Sequence, residues 1–263
     1  MCNYVRRGSG EPLVLIHGLG SQWQMWSPVL DIVAAERDVV ALDLPGFGES
    51  APLDVAPTVA ALADSVSALI DALGLHRPHV AGNSLGGAIA LELARTGRAR
   101  SATSLSPVGF ARGRERTFAR TSLSASRATA RLLDPAVDVV MRTRLGRTLT
   151  LIQFFGKPWR LAPQEAVRAT RGLAHCPGFA ATLPEVERFA WEHGDLDVPV
   201  TIAWGMRDRL LIPRQGRRAE EIMRRARHVR LAGCGHVPTW DEPHQVAGVL
   251  LAGSRDRLAD NEG

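Results

Sequence analysis

Apolar positions along the chain fall into short runs separated by turn residues, and the runs follow two periodicities. Pro12 to Ile16 and Asp38 to Leu42 are continuous apolar stretches, ended by His-Gly and by Asp43 with a Pro-Gly turn. That is the pattern of strands buried on both faces. Thr58 to Leu73 spaces its apolar residues for one face of a helix and stops at Gly74. Pro78 to Ala81 reads as a very short third strand, Leu85 to Ala94 as a helix that begins abruptly after Ser84, and Ser101 to Leu105 as a fourth, weakly apolar strand. After Pro199 come a strand over Val200 to Trp204, a helix over Pro213 to Arg225, a strand over Val229 to Leu231 and a closing helix that includes Val246 to Leu251. The N-terminal Met-Cys-Asn-Tyr-Val-Arg-Arg also passes into a strand.

From about Val108 to about Asp195 no strand pattern occurs; Arg, Ala, Leu and Pro form helix-like patches, with Phe154, Phe155 and Trp159 in one cluster. Alternating strands and helices on either side of this stretch imply βαβ units. The expected fold is therefore α/β, a mostly parallel sheet with helices on both faces and an inserted helical cap. Residues 1–107 and 196–263 are assigned to the core domain, and 108–195 to the cap.

Length and composition agree with this. The chain has 263 residues, 45% of them apolar, enough for a large α/β core. No apolar run reaches the roughly 18 residues of a membrane span, and the N-terminus lacks a secretory pattern, so a cytoplasmic protein is expected. The pI is about 10 with a formal charge of +5. The basic residues are almost all arginine, however, and pairs such as Arg217-Arg218 and Arg224-Arg225 are interspersed with acids as on a solvated helix face. Nucleic acid is not an expected partner; a small acyl molecule is, for a monomer or homodimer. Cys2, Cys176 and Cys234 are far apart and make no metal-ligand spacing, so neither metal nor cofactor is expected. Cys234, two residues before His236, reads as a small buried residue.

The strongest local signal is Gly82-Asn83-Ser84-Leu85-Gly86-Gly87, between a strand and a helix. Glycines on both sides permit a sharp turn that pushes a serine hydroxyl outward. Serine needs a base. In an open parallel sheet, sites form beyond the carboxyl ends of the strands. His76, His79 and His228 precede strands, His175 and His193 lie in or near the insertion, and His244 is in the last helix pattern. His17 and His236 follow strands. His236 lies in the glycine loop Gly233-Cys234-Gly235-His236 and is the expected base; His17 is expected to brace its own loop. The expected orienting acid is Asp208, four residues past the Val200 to Trp204 strand. Asp195 and Asp197 precede that strand, and Asp241 and Glu242 begin the last helix, where a dipole favours acids. The loop His17-Gly18-Leu19-Gly20 supplies a second amide, so the N–H groups of Leu19 and Leu85 are the expected oxyanion donors. Gly46-Phe47-Gly48-Glu49-Ser50-Ala51 fits a dinucleotide fingerprint, but Pro45 and Pro52 flank it and no helix opens there. It reads as a turn packed near the mouth of the site.

The order Ser84, Asp208, His236 resembles that of the α/β-hydrolase family. The motifs HGLG at 17–20, DLPGFGES at 43–50, GNSLGG at 82–87, WGMRD at 204–208 and GCGHVP at 233–238 carry the resemblance over nearly the whole chain outside the cap. It implies an eight-stranded sheet with a cap after the sixth strand. This chain starts near the usual second strand, so the sheet is expected to have seven or eight strands. Dehalogenases and epoxide hydrolases of the family place an aspartate at the turn where this chain has Ser84. GNS resembles the turn of C–C bond hydrolases, whereas HGLGSQ departs from their oxyanion loop. The expected activity is hydrolysis of a small or medium carboxylic ester through an acyl-enzyme on Ser84. A C–C bond hydrolase of vinylogous diketones, a lactonase, a cofactor-free haloperoxidase and a ligand-binding receptor of low turnover remain alternatives. Trp23, Trp26, Phe154, Phe155 and Trp159 are the candidate pocket wall.

Overall fold

The computed structural model describes residues 2–255. Seven strands form one sheet: β1 (Tyr4–Arg7), β2 (Pro12–Ile16), β3 (Asp38–Leu42), β4 (His79–Asn83), β5 (Ser101–Leu105), β6 (Val200–Gly205) and β7 (Arg227–Leu231). Their spatial order is β1-β3-β2-β4-β5-β6-β7. All neighbours run parallel except β1, which pairs antiparallel with β3 at the edge.

Alternation along the buried strands sends side chains to two cores. Val14, Ile16, Val40 and Leu42 face α2 (Val59–Ala72) and α3 (Leu85–Arg95). Leu13, Leu15, Val39 and Ala41 face α1 (Ser27–Ala34) and α10 (Pro243–Gly253). α9 (Pro213–Ile222) packs on β6 with Ala219 in the α2–α3 core. Thr58 caps α2, its hydroxyl accepting from Ala61 N at 3.1 Å.

The polar character of β5 has a packing cause. A Cβ on Gly253 of α10 would lie 2.0 Å from Thr103 Oγ1, and a Cβ on Gly87 of α3 would lie 2.6 Å from Ser104 Oγ. Both helices thus approach β5 more closely than an aliphatic strand would allow. Ser101 Oγ donates to Gly253 O at 2.8 Å, so the helix that presses on the strand satisfies this hydroxyl, whereas the buried Ser104 Oγ beside Gly87 has no partner among the described residues.

Five helices lie between β5 and β6: α4 (Arg114–Leu133), α5 (Val137–Arg142), α6 (Arg144–Leu151), α7 (Pro163–His175) and α8 (Phe179–Arg188). Among the described residues no strand occurs there. Val137, Met141, Leu151, Phe155, Leu161 and Ala166 form a small third core within the segment. Three backbone bonds fasten the segment to the core loops, Val108 N to Ser84 O, Gly178 N to Gly46 O and Val237 N to Phe154 O, at 3.2, 2.8 and 2.8 Å, and Trp191 N to Gly109 O at 3.1 Å joins the two ends of the segment. Among the described residues no helix is long and apolar enough to cross a membrane.

Gly253→Val should drive a side chain into Thr103 and lower unfolding free energy by about 1–3 kcal/mol, read from the urea midpoint at unchanged slope. Stability equal to the parent protein would contradict the close approach of α10 to β5.

Candidate active site

Ser84 sits between β4 and α3 with φ 57° and ψ −116°, in a region that costs a non-glycine residue about 1–3 kcal/mol. Its surroundings enforce this. A Cβ on Gly82 would lie 2.0 Å from Gly86 O, and one on Gly86 would lie 2.2 Å from Ile16 O. Only glycines let β4, α3 and the end of β2 converge, and Ser84 is held at the apex by its N–H bond to Leu105 O at 2.9 Å.

His236 and Asp208 are both buried, with Nδ1 and Oδ2 2.8 Å apart. Asp208 Oδ1 accepts the amides of Leu210 and Leu211 at 2.9 and 2.8 Å, which fixes the carboxylate edge that meets the ring. The carboxylate makes Nδ1 the protonated nitrogen and leaves Nε2 as the acceptor. Nε2 has no hydrogen-bond partner among the described residues. The histidine loop is joined to the serine turn through Asn83, whose Nδ2 donates to His236 O at 2.8 Å and to Leu105 O at 3.1 Å.

The facing loop is set by His17. Leu44 N donates to His17 Nε2 at 2.9 Å, so the proton resides on Nδ1, which donates to Gly18 O at 2.7 Å. In a trans peptide this turns the Leu19 N–H the opposite way. Neither Leu19 N–H nor Leu85 N–H has a hydrogen-bond partner among the described residues. Full burial pushes the His17 pKa below its ordinary value.

A sequence profile of the alpha/beta hydrolase family matches residues 13–249. The chain belongs to that family. This α/β hydrolase is 37% identical over 140 residues to the dihydrolipoyllysine-residue acetyltransferase component of an acetoin cleaving system from Cupriavidus necator. That match takes in 52% of this chain and only 37% of the relative's length. It is 29% identical over 210 residues to an epoxide hydrolase of Mycobacterium tuberculosis, covering 73% of this chain and 93% of the other. Among solved structures, a thermophilic esterase from Thermogutta terrifontis superposes with a TM-score of 0.74 at 21% identity, over 95% of this chain and 92% of that one, which is a likeness of fold.

Beside the site this hydrolase has a cleft of about 100 Å³, partly open to solvent. Leu19 and Val237, the neighbour of His236, form its inner wall; Phe154, Phe155, Leu151 and Leu173 make it apolar. Of the candidate wall residues named from the sequence, Phe154 and Phe155 line the cleft and the three tryptophans do not. Trp26 is fully buried against α1, Trp23 is half-buried in the same core, and Trp159 is 39% exposed; none lines the cleft. The helical turn Trp23–Trp26 directs Trp23 and Trp26 into the core shared with α1 rather than toward the cleft.

Asp241 needs a second correction. It does not act as a dipole-favoured acid at a helix start. Its buried carboxylate accepts three backbone amides: Gly235 at 2.8 Å, Gly156 at 2.8 Å and Lys157 at 2.7 Å. Two of these belong to the turn after α6 and one to the loop of His236. Burial nonetheless holds the Asp241 pKa above the usual carboxylate range. Asp241 and Asn83 were the organising residues that sequence reasoning missed. Asn83 stood inside a quoted motif, but nothing local marked either residue. Cys234 is buried and its thiol is pushed up to about 12 by burial, so it carries no thiolate nucleophile at neutral pH. Gly46 and Gly48 form a left-handed turn against Gly178, with no phosphate-facing helix.

Two outcomes follow. Asp241→Ala strands three buried donors and should cost about 3 kcal/mol or more, measured by denaturant unfolding; a loss below about 1 kcal/mol would refute the clamp. For His17, the unfolded chain binds a proton near its ordinary pKa of about 6.5 while the folded ring resists it, so stability present above that pH falls as the solution is acidified. Between about pH 7 and pH 5 the parent protein should lose more stability than His17→Gln, and equal losses would contradict the buried neutral ring.

Proposed function

We propose that this chain is a serine hydrolase that cleaves a small or medium carboxylic ester, with Ser84 as nucleophile, His236 as base and Asp208 as its orienting acid. The observation that carries this reading is the buried 2.8 Å pair of His236 Nδ1 and Asp208 Oδ2, tied through Asn83 to the turn that bears Ser84. A family member with serine at this turn is also suited to acyl transfer, where epoxide hydrolases use an aspartate.

The chemistry runs in two halves. Nε2 of His236 takes the Ser84 proton as Oγ bonds to the ester carbonyl carbon, and the carbonyl electron pair moves to oxygen. Leu19 and Leu85 amides donate to that oxyanion, with no competing partners to release. Collapse expels the alcohol oxygen, which takes the proton from His236. Water then attacks the acyl carbon, gives its proton to Nε2, and Ser84 leaves reprotonated. Asp208 stabilises the imidazolium in each half. Residues 108–195 act as a cap on the core of 1–107 and 196–263, and the apolar cleft between them receives the acyl chain.

A fluorophosphonate forms an Oγ–P bond with loss of fluoride and tests the nucleophile directly. Labelling should map to Ser84, and Ser84→Ala should lower turnover of a short-chain chromogenic ester by about 10⁴-fold or more. Parent-like turnover in Ser84→Ala would exclude the mechanism. Labelling of Ser84 without ester turnover would exclude the ester alone, and lactones and vinylogous diketones on the same protein would identify the bond cleaved.

A further inference from the structure

α6 is apolar on two sides. Thr150 and Leu151 line the cleft. Leu145, Leu149 and Ile152, spaced four and three residues apart and so on one stripe, point outward at 67, 73 and 36% exposure. Val139 of α5, at 65%, and Trp159 in the turn against α6 extend the apolar surface on neighbouring elements. A run of large aliphatic side chains in water on adjoining elements marks a surface that something covers.

Charge narrows what that is. Residues 108–160 hold eleven of the 32 basic residues and only three of the 27 acidic ones. Those three acids are already paired with cations from outside that stretch: Glu115 with Arg218, Asp134 with Arg171 and His175, Asp138 with Arg171. Arg142 and Arg144, which flank the stripe, are exposed and have no acidic partner among the described residues. A symmetric contact with a second copy would set these arginines near their own counterparts, which is unfavourable without intervening acids. A bilayer carrying anionic lipid accepts both the aliphatic side chains and the arginines.

We propose that the α5–α6 face docks on an anionic lipid surface, with Leu145, Leu149 and Ile152 entering the boundary between headgroups and acyl chains and Arg142 and Arg144 on lipid phosphates. The attachment is peripheral, since α6 has eight residues and is only about 12 Å long. It sets the cleft about one helix diameter, roughly 10 Å, from the bilayer.

Sedimentation with vesicles tests this on the whole chain. Phosphatidylcholine vesicles with about 30% phosphatidylglycerol should carry the protein down, pure phosphatidylcholine should not, and binding should fall as salt rises. Leu145→Gln with Leu149→Gln, and separately Arg142→Gln with Arg144→Gln, should each weaken partitioning about tenfold or more. Thermal unfolding checks that both variants fold. No binding to anionic vesicles by the parent protein, or binding unchanged in folded variants, would overturn the proposal. So would a concentration-dependent dimer, seen by light scattering, that the leucine variant abolishes, since the face would then be a self-contact. No ester enters the measurement, so its failure is separate from failure of the Ser84 reading.

Discussion

The close approach of three backbones around Gly82 and Gly86 is the constraint on which the rest of the molecule depends. With 2.0 Å between a would-be Cβ at Gly82 and Gly86 O, and 2.2 Å between one at Gly86 and Ile16 O, no other residue permits this crossing of β4, α3 and β2. The crossing drives Ser84 into a positive φ, and that strain is offset by a sheet buried on both faces. The same crossing leaves the first amide of α3 beside the loop from β2, where His17 has already turned Leu19 N–H. A serine, two amides without hydrogen-bond partners among the described residues and a histidine loop bonded to the serine turn through Asn83 thus lie close to one another.

Much of this was legible in the chain because burial on both faces writes continuous apolar runs. β2, β3 and β5 span the residues their patterns indicate, and the ends of β4 and β6 differ by one or two. The sequence-level residues with direct chemical logic, Ser84, Asp208 and His236, fall at the carboxyl ends of strands, where the sheet geometry directs them. The notion of a helical stretch without strands between β5 and β6 also agrees with the five helices there. α9, in contrast, ends at Ile222 rather than Arg225, and β7 begins two residues earlier than its apolar pattern because an edge strand tolerates Arg227 and His228.

What was not legible depends on long-range closure. α1 was hidden because its apolar positions follow two tryptophans that read as a pocket wall; the turn over Trp23–Trp26 instead carries Trp26 into the core beneath the sheet. Asp241 was read by its local position before a helix, yet its partners Gly156 and Lys157 lie some 85 and 84 residues away in sequence. Asn83 is bonded to a carbonyl 153 residues on. Such bonds have no periodic signature, since each needs only one polar side chain and an amide or carbonyl that the fold delivers.

The Asp241 carboxylate also limits how a substrate can enter. Because it grips amides of the turn after α6 and of the His236 loop at once, that side of the helical segment cannot swing away as a rigid door without dragging the imidazole with it. On the opposite side α4 and α7 line the cleft through Ala130 and Leu173 and are bonded to one another, not to the His236 loop, by Arg131 Nε to Ala174 O and Arg127 to Cys176 O at 2.9 and 3.0 Å, so a displacement there leaves the imidazole in place.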